Sequence, residues 1–216
     1  MINLAVITGG KPHDVVGFQK LFQSLEGIHS YIQHIDDYAS SPEYARDFYD
    51  VVLFFFMMLD GPTDVGLPGY RGRPKSAIDH LGQTGQGIVV LHHALLAYPQ
   101  WSVWDEIVGM TNRQLSHYQH DEALNIKVVD NDHPITKGLT DWIMVDETYL
   151  MPNPDSDNRI LLRTDHPRNV ETVAWTRQYK TSRVFCLQSG QDHQTWKNKN
   201  FKTALRRGIK WSCWRN

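Results

Sequence analysis

Cysteine is scarce in this chain of 216 residues, where only Cys186 and Cys213 are present. Two thiols cannot build a disulfide framework, and their spacing matches no zinc-binding motif. Neither charge sign dominates, because 22 lysine and arginine residues nearly balance 24 aspartate and glutamate residues. General nucleic-acid-binding and membrane-surface proteins normally carry a basic patch or excess, so this composition argues against both classes.

Extended apolar segments are missing as well. The longest apolar segment, Val51 to Leu59, has nine residues, whereas a membrane-spanning helix needs about 20. The segment from Met1 to Gly10 has no basic region, extended apolar region or cleavage site typical of a signal peptide. We therefore expect a cytoplasmic protein with no membrane partner.

Common nucleophile motifs are also absent. The sequence contains no Gly-x-Ser-x-Gly, no His-Glu-x-x-His and no cysteine at a predicted strand-to-helix turn. Cys186 lies in a strand pattern and Cys213 in a helix pattern, so both are expected to be inert core thiols. Serine- or cysteine-based acyl transfer is therefore not expected.

The first half of the chain alternates between predicted strands and helices. Apolar segments predict strands, and these are Asn3 to Ile7, His29 to Ile35, Val51 to Phe56 and Gly87 to Leu91. Apolar residues at helical spacing and helix caps predict helices, and these are Asp14 to Gly27, a short one at Ser41 to Glu43, Lys75 to Leu81 and Ala94 to Met110. This order predicts a doubly wound, mostly parallel α/β sheet.

The second half is richer in predicted strands. These strands are Asn125 to Val129, Trp142 to Tyr149, Ile160 to Arg163, Thr172 to Thr176 and Arg183 to Leu187. Their connections are too short for helices, so some of these strands must be antiparallel. A last amphipathic helix is predicted from Asn200 to Trp214. Because no linker or repeat interrupts the chain, residues 1–216 are expected to form a single domain.

A segment rich in glycine and proline interrupts the first half of the chain. Met57 to Pro74 has no regular pattern, and loops of this length in compact domains are often functional. We expect it to cover a ligand pocket.

Two histidines give the strongest functional signal. His92 and His93 directly follow the predicted strand Gly87 to Leu91, and ligands of open α/β sheets bind beyond the carboxyl ends of the strands. Imidazole groups at this position could transfer protons or bind a metal ion. The alternative is a histidine pair that is hydrogen-bonded to backbone carbonyl groups.

Carboxylates follow two further strands. Asp146 and Glu147 end an apolar strand, where Glu147 could be a general base or a metal ligand; the alternative is a solvated strand end. Asp192 and His193 follow the predicted strand Arg183 to Leu187 and could face the same pocket. The alternative for them is a turn that caps the last helix.

Other histidines and aromatic residues give weaker signals. His117 and His120 would share one face if their segment were helical, but a solvated turn is the favoured interpretation. Tyr98, Trp101 and Trp196 lie near the candidate segments and could stack on a sugar ring, although core packing explains them equally well.

Five segments together resemble a known family. They are Val89 to Leu96, Asp132 to Leu139, Asp146 to Tyr149, Val173 to Arg177 and Gly190 to Trp196. In this order, with the last helix, they are similar to the ThuA-like family, named after a trehalose-utilisation protein, over roughly residues 2–213. The resemblance implies a flavodoxin-like sheet of the class I glutamine amidotransferase type and a role in the use of disaccharides or 3-keto sugars.

The chain departs from the related patterns at two positions. Amidotransferases need a cysteine where this chain has His92 and His93, so amidotransferase activity is not implied. Relatives tend to have Gly-His-Asp after the last strand, whereas this chain has Gly190, Gln191 and Asp192, with a histidine only at His193.

These observations lead to one hypothesis and one alternative. The hypothesis is an enzyme (a hydrolase, lyase or isomerase) that acts on a disaccharide or 3-keto-sugar derivative. Catalysis would use His92, His93, Glu147 and Asp192, and substrate binding would use Tyr98, Trp101, Trp196 and His193. A divalent metal ion, Zn²⁺ or Mn²⁺, could be held by His92, His93 and Glu147. The alternative is a non-catalytic sugar-binding or regulatory module, and either form could assemble as a homo-oligomer.

Overall fold

Every strand of the described residues belongs to one mixed sheet. A computed structural model describes residues 1–64 and 73–213. The nine strands are β1 (Ile2–Gly9), β2 (Ile28–His34), β3 (Val51–Phe56), β4 (Gly87–Leu91), β5 (His117–Val128), β6 (Trp142–Leu150), β7 (Arg159–Thr164), β8 (Thr172–Tyr179) and β9 (Ser182–Leu187). Their order across the sheet is β2-β1-β3-β4-β9-β8-β7-β5-β6.

The sheet has a parallel half and an antiparallel half. The pairs β1–β2, β1–β3, β3–β4 and β4–β9 are parallel. The pairs β8–β9, β7–β8, β5–β7 and β5–β6 are antiparallel. The predicted fold class, a flavodoxin-like α/β sheet with antiparallel strands in the second half, is therefore confirmed, with the sheet evenly mixed rather than mostly parallel.

Helices cover both faces of the parallel half. They are α1 (Val15–Gln23), α2 (Ile35–Ser40), α3 (Glu43–Arg46), α4 (Pro74–Asp79), α5 (Ser102–Val108), α6 (His193–Lys197) and α7 (Lys199–Ser212), with a 3₁₀ helix at His92–Leu96. Alternate residues of β1 enter different cores. Leu4 packs in one cluster with Phe18 of α1 and Leu205 of α7, and Ala5 packs in the other with residues of α2, α4 and α5. No helix in residues 1–64 and 73–213 is long and apolar enough to cross a membrane.

The structure corrects three local predictions. The helix predicted from Ala94 to Met110 is a 3₁₀ helix followed by α5, because Tyr98 adopts a positive φ of 47° and Pro99 follows it. The strand predicted to extend to Ile35 ends at His34, and a separate helix, α2, begins at Ile35. The strand predicted from Asn125 already begins at His117, which replaces both the helix and the turn considered for that segment.

Candidate functional site

His92 occupies the sharp turn between β4 and the 3₁₀ helix. Its φ is 54°, a left-handed conformation that is costly for a residue with a side chain and is concentrated at functional sites. The side chain is completely buried. Its Nδ1 lies 2.8 Å from the carbonyl oxygen of Gln188, and because a carbonyl can only accept, Nδ1 carries the hydrogen. Nε2 is thereby directed to the other side of the ring.

Three side chains converge on Nε2 of His92. Glu147 Oε2 lies at 3.0 Å, the Tyr149 hydroxyl at 2.9 Å and Gln191 Oε1 at 2.7 Å. Tyr149 also donates to Glu147 Oε2 at 2.8 Å. The structure therefore brings together residues of β4, of β6 and of the loop after β9.

This convergence depends on the fold of the β5–β6 hairpin. In sheet order β6 lies four strands from β9, yet Gln188 Nε2 donates to the Glu147 carbonyl at 3.0 Å and Thr195 Oγ1 donates to the Val145 carbonyl at 2.8 Å. The pairing register of β5 shifts between Gln119 and Glu122, and such bulges bend strands. These contacts place the middle of β6 against the segment that follows β9.

Asp146 anchors the loop after β9. Its fully buried carboxylate accepts backbone N–H groups of Gly190 at 2.9 Å, Gln191 at 3.1 Å and Glu147 at 2.9 Å. Burial raises the pKa of Asp146 overall, although the charge of His92 and these hydrogen bonds oppose the rise. The contacts give Asp146 a positioning role, because they fix Gln191 and Glu147 relative to each other.

Glu147 is a buried carboxylate with a lowered pKa. Burial by itself raises the pKa, but the contacts from His92 and Tyr149 and the charge of Lys11 lower it further than burial raises it. Lys11 Nζ lies 3.8 Å from Oε2, and His120 Nδ1 lies 3.2 Å from Oε1. The Glu147 carboxylate is therefore ionised near neutral pH. Burial and the adjacent Glu147 charge keep the pKa of Tyr149 well above its usual value, so Tyr149 remains a donor.

Sequence reasoning did not place the accessible part of this cluster, Lys11 and His120, at the candidate site. The side chain of His120 is 51% exposed and that of Lys11 is 30% exposed, against 1% for Glu147. Lys11 Nζ also lies 3.5 Å from Gln191 Oε1. Lys11 follows the carboxyl end of β1, which is the same strand-end signal that singled out His92. His120 gave no comparable signal, because its approach to Glu147 depends on the bend of β5.

His93 lies beside this cluster without joining its hydrogen bonds. It is 2% exposed, and neither ring nitrogen has a hydrogen-bond partner among the described residues. Its ring packs against Phe55 with a centroid distance of 4.3 Å. Burial, with the charges of His92, Lys11 and His13, lowers the pKa of His93 to about 2. His93 is therefore a neutral imidazole.

The expected metal ligands are only partly assembled. His92 Nε2 and Glu147 Oε2 are 3.0 Å apart, but within residues 1–64 and 73–213 the donor atoms of His92, His93 and Glu147 do not all lie within 4.8 Å of one another. A single ion cannot be held by all three without movement of His93. Binding of Zn²⁺ or Mn²⁺ at this site stays a prediction.

The segment after β9 has a structural use for two of its three predicted residues. Asp192 is the N-cap of α6, and its carboxylate accepts the backbone N–H of Gln194 at 2.8 Å, which accounts for Asp192 without a catalytic role. Trp196 is buried, donates to the Gly190 carbonyl at 2.9 Å and packs on Phe18. His193 is exposed and lines a groove between α1, α6 and α7.

The remaining aromatic candidates lie on the other side of the 3₁₀ helix. Tyr98 is buried against Phe56 and Trp104, as core packing requires. Trp101 is half-buried and lines a cavity of about 600 Å³ together with the segment Gly61–Asp64. The predicted covering loop thus contributes its first part to this cavity, while its residues 65–72 lie outside the described residues.

Comparison with known structures defines the class of protein. A ThuA-like protein from Parabacteroides merdae is 18% identical, with a TM-score of 0.70 over 99% of this chain and 90% of that one. A ThuA-like protein from Bacteroides uniformis is 17% identical, with a TM-score of 0.73 over 97% and 90%. A glutamine amidotransferase from Thermotoga maritima is 9% identical, with a TM-score of 0.59 over 99% of both chains. The fold is that of the glutamine amidotransferase-like α/β proteins.

The sequence then identifies the family within this class. The model of the ThuA family, described as trehalose utilisation, matches residues 71–212. Because this match covers more than half of the chain, the protein belongs to the ThuA family. No protein with a curated description matches the sequence.

Proposed function

We propose that the protein is an enzyme of disaccharide utilisation that acts on a disaccharide or its 3-keto derivative by acid/base chemistry. The family description supports the substrate class. One geometric observation carries the chemistry. The buried Glu147 carboxylate is held by His92 and Tyr149 on one oxygen, and its other oxygen lies against the half-exposed His120.

His120 is the general base of this proposal. His120 Nδ1 lies 3.2 Å from Oε1 of Glu147. Because a carboxylate can only accept, this ion-pair contact favours a hydrogen on Nδ1, and Nε2 is the nitrogen that takes the proton in this proposal. A carboxylate that orients a histidine and stabilises its protonated form is a recurring catalytic arrangement. His92, Tyr149 and Asp146 are positioning residues in this scheme, because they act through Glu147 and the loop at Gln191.

The proposed reaction on a 3-keto glycoside is an elimination. The ketone at C3 acidifies the hydrogen on C2, and His120 Nε2 removes this proton while the C–H electrons form an enolate. The enolate then expels the glycosidic oxygen from C1, which forms the C1–C2 double bond and restores the ketone. The leaving oxygen takes the proton from His120, and no oxidant is needed. Lys11, 3.8 Å from Glu147, supplies positive charge for the enolate oxygen.

The test compares two histidines of the same strand. His120→Ala and the control His117→Ala, which changes an exposed histidine of β5, are incubated with 3-keto-trehalose and with trehalose, and products are followed by chromatography. Loss of a general base lowers kcat by about 10²–10⁴-fold, so we expect this loss in His120→Ala and in Glu147→Gln. Activity of His117→Ala should equal that of the unmodified protein.

Two outcomes would contradict this proposal. Equal activity of His120→Ala and His117→Ala would remove His120 from the reaction. Binding of either sugar without any product would favour the alternative, a non-catalytic sugar-binding module. Calorimetric titration with the same two sugars separates these outcomes.

If catalysis at this site needs a metal ion, removal and return of the ion should change the activity. If His92 and Glu147 hold Zn²⁺ or Mn²⁺, treatment with EDTA should abolish activity and one of these ions should restore it. Full activity after EDTA treatment would favour the metal-free scheme. We also propose that the enzyme acts in the cytoplasm.

A further inference from the structure

A second cluster of side chains lies near the amino ends of the parallel strands, whereas the candidate active site lies at their carboxyl ends. Glu43 and Asp47 lie at the two ends of α3, and His80 caps the carboxyl end of α4. These elements lie near the amino ends of β3 and β4, since Gly87 N donates to the Asp50 carbonyl at 3.0 Å. His92 is at the other end of β4, roughly 17 Å away for a strand of this length. The cluster is therefore separate from the candidate active site.

The distances in this cluster are those of ion pairs, and they also match the spacing of ligands around one cation. His80 Nε2 lies 3.6 Å from Glu43 Oε1 and 3.4 Å from Asp47 Oδ1, and the three atoms all lie within 4.8 Å of one another. Zn²⁺ with bonds of about 2.1 Å holds tetrahedral ligands about 3.4 Å apart. His80 Nε2 is shielded from solvent and has no hydrogen-bond partner among the described residues.

The backbone on both sides of the cluster is already fixed. Glu43 and Asp47 are four residues apart, so their side chains share one face of α3, and the Asp47 N–H donates to the Glu43 carbonyl at 2.8 Å. The His80 N–H donates to the Ser76 carbonyl at 3.0 Å. Gln86 Nε2 donates to the Arg46 carbonyl at 2.8 Å, which holds the end of α3 against the start of β4. Little reorganisation would be needed for these ligands to bind an ion.

We propose that Glu43, Asp47 and His80 form a Zn²⁺ site that ties α3 to α4. The ion would bind His80 Nε2, Glu43 Oε1 and Asp47 Oδ1, and water would complete the tetrahedron. A histidine with two carboxylates suits Zn²⁺, whereas Mg²⁺ and Ca²⁺ prefer oxygen ligands alone. We assign the site a structural role, because its ligands join the two helices α3 and α4.

The experiment measures Zn²⁺ binding and thermal stability without any sugar. EDTA-treated, dialysed protein is titrated with ZnCl₂ by calorimetry, and Tm is measured with and without ZnCl₂, with MgCl₂ as the comparison. We expect one Zn²⁺ per chain, a Tm raised by Zn²⁺ and no response to Mg²⁺. His80→Gln and Glu43→Gln should weaken binding at least tenfold.

Matched variants assign the bound ion to its site. His117→Ala and Glu26→Gln change an exposed histidine and an exposed glutamate elsewhere and should bind Zn²⁺ like the unmodified protein, as should Glu147→Gln. Unchanged binding by His80→Gln, or absence of Zn²⁺ binding by the unmodified protein, would overturn the proposal. Loss of binding in Glu147→Gln instead would also overturn it, because the ion would then lie at the candidate active site.

Discussion

At the scale of single residues, the charge of Glu147 depends on the groups that donate to it. Tyr149→Phe removes a hydrogen bond of 2.8 Å to Oε2, and this bond is one of the causes that lower the pKa of Glu147. We therefore expect the pKa of Glu147 to rise in Tyr149→Phe. Glu147 would lose its charge at a higher pH, so the profile of the Glu147 carboxyl resonance against pH, measured by NMR, should move to higher pH.

The control for this variant is Tyr118→Phe, which changes an exposed tyrosine of the same hairpin and should keep the original profile. An unchanged profile of the Glu147 carboxyl in Tyr149→Phe would mean that the Tyr149 hydroxyl does not stabilise the charge of Glu147.

The neutral state of buried His93 makes folding stability depend on pH. Its folded pKa is about 2, whereas an unfolded histidine titrates near 6.5. Between these values only the unfolded chain binds the proton, so stability falls as pH falls below 6.5. Between pH 7 and pH 5 this difference in proton binding lowers the free energy of unfolding by about 2 kcal/mol.

We expect His93→Phe to remove this part of the pH dependence of folding stability. Denaturant unfolding of both proteins at pH 7 and pH 5 should give a smaller loss of stability for the variant, whatever its stability at pH 7. The same pH dependence in both proteins would show that His93 is protonated in the folded state.

At the scale of secondary-structure elements, α7 packs closely on the sheet through a glycine. A Cβ at Gly208 would lie 2.1 Å from Cδ1 of Phe185 in β9, too close for any real contact. Alanine normally stabilises a helix by about 1 kcal/mol relative to glycine, but overpacking a core costs about 1–3 kcal/mol. Gly208→Ala should therefore lower the free energy of unfolding. Lys210→Ala, which changes an exposed residue of the same helix, should alter it by less than about 0.5 kcal/mol.

At the scale of the whole molecule, the two halves of the sheet depend on each other. β4 from the first half pairs in parallel with β9 from the second, and the core beside α1 also contains Leu205 of α7. A fragment of residues 1–110 would leave the edge of β4 unpaired and this apolar face uncovered. We expect the fragment to show no cooperative unfolding transition by circular dichroism, whereas the full chain should unfold cooperatively. A cooperative transition in the fragment would mean that the parallel half folds alone.

Local patterns were enough to predict most elements and part of the site. The solidly apolar β3 and the alternation of strands and helices are set by near neighbours in the chain, so the fold class followed from them. His92 was identified because it directly follows an apolar strand, and Glu147 because it lies in the last part of one, where a buried polar side chain is costly unless it is paired or bound.

Tertiary structure decided which of these residues meet and which groups reach solvent. The bend of β5 brings Glu147 to His92 across a sheet in which their strands are not neighbours, and it converts His120 from a surface histidine into a partner of Glu147. The same packing leaves Tyr98 and Trp196 in the core and uses Asp192 as a helix cap. Contacts between residues far apart in the chain depend on strand order and bends, and no local pattern of side chains encodes them.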